Sequence, residues 1–228
     1  MNDCSFCAEF RGEELNNFFA IHLQVEFQKV GIQSRIIGQS KNFFVLPMIG
    51  PLVRGYLLVV PITHFLSFAH LPIELIREAQ AIRDSLREIF SIHYRPPVFF
   101  EHGPMSQSRK GGCCTDHAHL HVVAVDCDVA DKFTDFTYKP RRVNDLVDLP
   151  QQMIKDMPYL YYENQRGERW LMDAPVVESQ FIRKLIAIEI GATERAYWFN
   201  SLQISWIIDI IKRLKPVFDA LRGNGLWI

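Results

Sequence analysis

Several features that would narrow the reading of this 228-residue chain are missing or scarce. No apolar run reaches the roughly 20 residues needed to cross a bilayer as a helix. Charge of one sign is not in excess. Twenty-five Lys and Arg stand against 26 Asp and Glu, a net charge of −1. No global basic field therefore draws in a nucleic-acid polymer or an anionic membrane. Cysteine is sparse, at five residues. The start, Met1-Asn2-Asp3-Cys4, has neither a basic head nor an apolar signal core. An odd cysteine count in such a chain argues against a disulfide framework, and a cytoplasmic protein is expected. There is no internal repeat and no low-complexity tract. Apolar side chains are plentiful: 48% of residues are hydrophobic and 12% aromatic. That suits one large domain, or one domain with a substantial extension.

Hydrophobic spacing outlines the elements. Residues 13–27 have mixed periodicity with a helical start. Residues 41–48 and 55–60 read as strands joined by a turn at Ile49-Gly50-Pro51. The clearest helix covers 72–93, where Ile73, Ile76, Ala79, Ile82, Leu86, Ile89 and Phe90 form one apolar stripe. Pro96-Pro97 stops it, and 97–101 reads as a strand ending at His102-Gly103-Pro104. A polar loop, 105–112, follows and carries Arg109 and Lys110. The character changes after Asp126. Irregular connection to about Pro150 gives way to a hairpin, 159–163 and 169–172, around Gln165-Arg166-Gly167. Helices are expected over 178–190 and 201–214, with Pro216 disturbing the end of the second.

The most informative segment is His117-Ala118-His119-Leu120-His121, followed by Val122-Val123. Apolar residues between the histidines predict a strand, and in a strand alternate side chains share one face. Three imidazoles would then line one surface, about 7 Å apart in successive pairs. Such a face suits a metal or phosphorus chemistry; the alternative is a solvated edge strand. Cys4-Ser5-Phe6-Cys7 has the spacing of half a zinc site, which alone is weak.

His117 to Val123 fits the pattern His-φ-His-φ-His-φ-φ, with φ apolar, and resembles the signature of the histidine triad (HIT) superfamily of nucleotide hydrolases and transferases. Gly55-Tyr56-Leu57-Leu58-Val59-Val60-Pro61-Ile62-Thr63-His64 resembles the Gly-x-x-Leu-Val-x-Pro-x-x-His strand of that family. The resemblance covers residues 4 to 126. Beyond them there is only a looser similarity to C-terminally extended bacterial members. It implies an α+β fold, an antiparallel sheet with packed helices in residues 1–126, and an α/β extension in residues 127–228, possible as one continuous domain. It also implies His119 as a nucleophile toward an α-phosphorus, with His121 binding the phosphoryl oxygens or protonating the leaving group. Gly111, Gly112, Cys114, Arg109 and Lys110 would be the phosphate-binding loop. Cys4, Cys7, His64 and His117 would hold a structural Zn2+. A small-molecule nucleotide substrate and a homodimer are further implications.

The chain departs from the family in places. A glutamine and a serine or threonine usually precede the triad to support the phosphate; here Cys113 and Cys114 stand there, and a thiol is a weak donor. Met48 occupies the place of a ribose-binding aspartate, and Glu101-His102-Gly103 that of an asparagine before glycine. His102 reads equally as an acid–base group or as structural. Ser179-Gln180-x-x-Arg183 opens a helix and could offer an arginine to a phosphate, with solvated surface charge the favoured reading of Arg183. The reading is a nucleotide hydrolase acting through a nucleotidyl-histidine. Its rivals are a nucleotidyltransferase or phosphorylase, a nucleotide-binding protein without turnover, and a metalloenzyme with the metal on all three histidines.

Overall fold

Short apolar segments form strands where both of their faces can be covered. In the computed structural model, which describes residues 4–110, 112–113, 115–135 and 139–228, these are β1 (Gly38–Gln39), β2 (Phe43–Pro47), β3 (Tyr56–Pro61), β4 (Val98–Gly103), β5 (Leu120–Val123), β6 (Arg141–Arg142), β7 (Tyr159–Glu163) and β8 (Arg169–Asp173). They build one antiparallel sheet in the order β1-β2-β3-β5-β4-β7-β8-β6. The helices are α1 (Ser5–Phe10), α2 (Phe18–His22), α3 (Gln24–Gln28), α4 (Ile73–His93), α5 (Gln151–Lys155), α6 (Phe181–Glu189) and α7 (Ile204–Leu221). The class is α+β. Among the described residues no helix is long and apolar enough to cross a membrane.

The two-residue period of the strands divides the core. On one face Leu57, Val59, Phe99, Leu120, Val122 and Tyr161 pack with the stripe of α4 and with Ile207, Ile210 and Leu214 of α7. On the other face Tyr56, Leu58, Phe100, Val123, Leu160 and Tyr162 pack with Phe6 of α1 and with Phe181, Ile182 and Ile186 of α6. The sheet runs past residue 126 without a break, because β7 pairs with β4 in the register Phe99↔Glu163 to Gly103↔Tyr159. Side chains knit the same joint. Glu163, fully buried, meets Arg83 and Arg87 of α4, at 3.3 and 2.5 Å, and Arg169 of β8 at 3.1 Å. It also accepts the Tyr161 hydroxyl at 2.7 Å. A carboxylate this desolvated persists only with such partners.

Three expectations change. The ladder of the histidine segment begins at Leu120, so only His121 lies in the regular strand. The cause is local: Pro61, at the end of β3, has no N–H to give, and its carbonyl accepts from the His117 ring instead. The alternation still holds along the extended chain, with Ala118, Leu120 and Val122 in one core and His121 packed against Tyr56 and Phe100 of the other. Helix α7 continues through Pro216 to Leu221. Pro216 lies on its exposed side, where a carbonyl left without its usual partner can bond water, while Phe218 beyond it is buried against Trp227. The N-terminal segment is three short helices, with Cys4 capping the first.

A candidate metal centre beside a histidine-lined pocket

The N-terminal cysteines and two histidines converge. Cys4 caps α1, accepting from the Cys7 N–H, so the Cys-x-x-Cys spacing turns both sulfurs to one side. Helix α1 is held against β2 by a buried ion pair. Arg35 donates to Glu9 from Nε at 2.8 Å and from Nη2 at 2.7 Å, and from Nη1 to the Pro47 carbonyl. Cys4 Sγ then lies 3.2 Å from His117 Nδ1, and Cys7 Sγ lies 3.6 Å from it and 3.4 Å from His64 Nδ1. All four ligand atoms fall within 4.8 Å of one another. A tetrahedral zinc site with Zn–S of about 2.3 Å and Zn–N of about 2.0 Å places its ligands roughly 3.3–3.8 Å apart.

The protonation chemistry fits as well. His117 Nε2–H donates to the Pro61 carbonyl at 2.8 Å, which fixes the tautomer with a bare Nδ1 toward the sulfurs. Burial holds His117 down to about 4 and lowers His64, so both rings are neutral donors. Burial also pushes the Cys4 thiol up to about 12, so a thiolate there calls for a nearby cation. The donor set is that of a closed structural zinc site.

His119 and His121 lie beyond this cluster. His119 Nδ1–H donates to the His117 carbonyl at 2.7 Å, leaving Nε2 with a free lone pair. His121 stands directly across from Phe100 in the β4–β5 register and stacks on it, centroids 4.3 Å apart at 12°. The Tyr56 hydroxyl is 2.9 Å from His121 Nδ1; with the hydroxyl donating there, Nε2 carries the proton. The two rings are 4.7 Å apart, edge to face. Burial is the main cause that lowers both, well below the ordinary value for His121, and keeps them neutral.

These rings open into a pocket whose other walls come from several parts of the chain, the N-terminal Phe6 and Phe18 among them. Met48, Ile49 and Leu58 contribute from the β2–β3 region, and Gly112, Cys113 and Thr115 from the loop before the triad. The C-terminal part supplies Gln180, Arg183 and Trp198. The Gln180 N–H donates to the Gly112 carbonyl at 3.0 Å. Gly112 has φ of +78°, and a β-carbon there would meet Glu178 O at 2.7 Å, so the close approach needs glycine. His102 closes the same joint. Its Nε2 accepts the Ile182 N–H of α6 at 3.2 Å, and burial, then His119, depresses it to about 3. With that lone pair taken, His102 is a docking group for α6.

Residues 33–138, less than half of the chain, match the family described as "Protein similar to CwfJ C-terminal". No curated protein matches. Among solved structures, a HIT family hydrolase from Clostridium thermocellum is similar at 14% identity and a TM-score of 0.37, over 56% of this chain and 96% of that one. A zinc-bound histidine triad family protein from Mycobacterium smegmatis is similar at 20% identity and a TM-score of 0.39, over 67% and 91%. A hypothetical histidine triad nucleotide-binding protein from Sulfolobus tokodaii is similar at 16% identity and a TM-score of 0.37, also over 67% and 91%.

The expected site residues are thus distributed unevenly. Cys4, Cys7, His64 and His117 come together, and His119, His121 and Gly112 line one pocket. Arg109 is paired with Asp156, and Lys110 with Asp116 at 3.1 Å, and neither lines that pocket. Gly111 and Cys114 lie outside the described residues. Arg183 is not a solvated surface charge: it is 1% exposed at the pocket wall. Tyr56 and Phe100 also emerge only here, although their strand parity gives a signal. Both sit at positions that share the face of His121.

Proposed function

We propose that the protein is a nucleotide hydrolase of the histidine triad type. It cleaves an α-phosphate bond in a phosphoramidate, a dinucleoside polyphosphate or a related anhydride. The observation that carries this reading is the His119 tautomer: Nδ1–H bonded to the His117 carbonyl, Nε2 bare, in a pocket shared with His121. A neutral imidazole so held is a competent nucleophile near neutral pH. The His119 Nε2 lone pair attacks the α-phosphorus; the P–N bond forms as the bond to the leaving group breaks, and the leaving group departs with a proton taken from solvent. Water then attacks the nucleotidyl-histidine, a P–O bond forms, the P–N bond breaks, the water's proton returns to solvent, and neutral His119 and a nucleoside monophosphate result. His121, with Nδ1 facing Tyr56, turns its Nε2–H to the phosphoryl oxygens.

Residues 1–126 carry this chemistry in the proposal. Its phosphate loop comprises Arg109, Lys110, Gly111, Gly112 and Cys114, where Arg109 and Lys110 exchange their present carboxylates for substrate. Cys4, Cys7, His64 and His117 would hold a structural zinc ion, supplying two sulfur and two nitrogen donors. Its contribution is folding energy and the placement of the strand behind His119.

The test is hydrolysis of adenosine and guanosine phosphoramidates and of dinucleoside polyphosphates by wild type and His119→Ala. Loss of roughly three or more orders of magnitude is expected, with a nucleotidyl adduct on the His119 peptide after acid quench. Turnover that survives the substitution would sink the nucleophile assignment. A second reading, nucleotide binding without turnover, is favoured by one observation: the Cys113 thiol donates to the Thr115 carbonyl at 2.9 Å and offers nothing to a phosphate. Added phosphate or a sugar phosphate as acceptor separates hydrolysis from the transferase and phosphorylase alternative.

A further inference from the structure

We infer that Arg183, carried by α6, is the counter-ion of the substrate phosphate, and that Gln180 accepts a hydrogen bond from a hydroxyl of the same ligand. This rests on the nucleotide reading above, which places the chemistry in residues 1–126.

Arg183 is 1% exposed. Its Nε donates to the Ala196 carbonyl at 2.9 Å, and its Nη2 to the carbonyls of Gly50 at 2.6 Å and Arg195 at 2.7 Å. Those bonds fix the plane of the guanidinium and leave its charge without an opposite: among the described residues the buried Nη1 has no hydrogen-bond partner, and Arg183 forms no ion pair. A guanidinium does not lose its proton in a protein, and a buried charge is stable only when paired. The other buried arginines are paired, Arg35 with Glu9 and Arg83 with Asp145 and Glu163. At Arg183 the absent partner is an anion.

Its place says which anion. Arg183 lines the pocket of His119 and His121, and its guanidinium lies 5.4 Å from the centre of the Tyr56 ring that holds His121. An oxyanion there sits beside the proposed nucleophile, and a phosphate takes arginine well. Gln180, three residues earlier, is 7% exposed, lines the same pocket, and has a buried Oε1 with no partner among the described residues. An amide oxygen requires an O–H or N–H. An oxyanion for one residue and a hydroxyl for its neighbour together describe a sugar phosphate, the portion common to all nucleotides. In Arg183 the extension thereby supplies a donor that Cys113, committed to Thr115, does not.

The experiment is calorimetric titration of AMP and of adenosine into wild type, Arg183→Met, Arg183→Lys and His119→Ala, with folding checked by circular dichroism. Arg183→Met is expected to lose roughly 10- to 100-fold in AMP affinity while adenosine affinity holds, and Arg183→Lys to recover part of the loss. Equal loss for both ligands means that Arg183 only braces the 195–198 segment, and overturns the inference. So does unchanged AMP affinity in a folded Arg183→Met. A companion measurement uses wild type alone: inorganic phosphate should raise the melting temperature above chloride at matched ionic strength, and no rise overturns the inference even if Arg183→Met does not fold. His119→Ala separates the two proposals. If it binds AMP normally and turnover is never found, the covalent reading fails and this one stands. If turnover depends on His119 and AMP affinity ignores Arg183, the reverse holds.

Discussion

His119 and Glu101 show how a single side chain takes its chemistry from its neighbours. His119 would be an ordinary imidazole in water; the carbonyl two residues back fixes its tautomer and burial keeps it neutral. Glu101, 1% exposed, lies under the other core. Its carboxyl accepts the Phe68 N–H at 2.8 Å and the Tyr159 hydroxyl at 2.5 Å, yet desolvation outweighs both and raises it to about 8. The folded protein therefore keeps this proton up to about pH 8, whereas the unfolded chain releases it near the ordinary value of 4.5. Between those values the unfolded state binds fewer protons, so stability falls as pH rises through the window and is fully present below it. Urea unfolding of wild type and Glu101→Gln from pH 4.5 to 8.5 checks this. The variant is expected to lack a decline that reaches a few kcal/mol in wild type, and parallel curves would refute the assignment.

One turn of helix and one strand end make the candidate metal centre. Cys4 and Cys7 share a side because α1 starts between them, and His117 faces them because Pro61 breaks the ladder where its ring bonds. Zinc bound by this set stabilises the folded state by mass action. Protein prepared without chelator is expected to hold about one zinc per chain, and a strong chelator or Cys4→Ser to lower the melting temperature by about 10 °C or more. Metal analysis and thermal unfolding measure both. Metal-free protein whose melting ignores Cys4→Ser would remove the site. Helix α6 is the second such element. Its N-terminus is docked by His102 and Gly112, so Gln180 and Arg183 arrive at the pocket together.

Across the molecule, the eight-stranded sheet makes the two halves of the chain interdependent. Strand β7 covers the edge of β4, α6 covers the face that bears His121, and α7 packs on the opposite face beside β1 and β2. Cutting after Asp126 would bare the β4 edge, leave Arg83 and Arg87 without Glu163, and expose Phe100 and Leu58. Residues 1–126 alone are therefore expected to aggregate or to remain partly unfolded. Gel filtration and circular dichroism of that fragment test the claim, and a folded monomer with wild-type cooperativity would contradict it.

Much of this could be read along the chain. The stripe of α4, the strands flanking Gly50, the 159–173 hairpin and the histidine alternation are local patterns, and local backbone geometry acts on neighbours a few residues apart. The candidate metal ligands were readable through the Cys-x-x-Cys spacing and the family resemblance, since each motif residue keeps its identity wherever the chain goes. Arg183 was not. An arginine near a helix start looks the same whether it faces water or a pocket, and its burial depends on carbonyls at 50, 195 and 196 that meet only when α6 docks. His102 likewise had two readings until the Ile182 N–H took its lone pair. Sequence alone established which chemical groups and which local elements exist. Burial, tautomer and the pairing of charges were settled by contacts between residues distant in the chain, because desolvation is set by the surroundings a side chain finally meets.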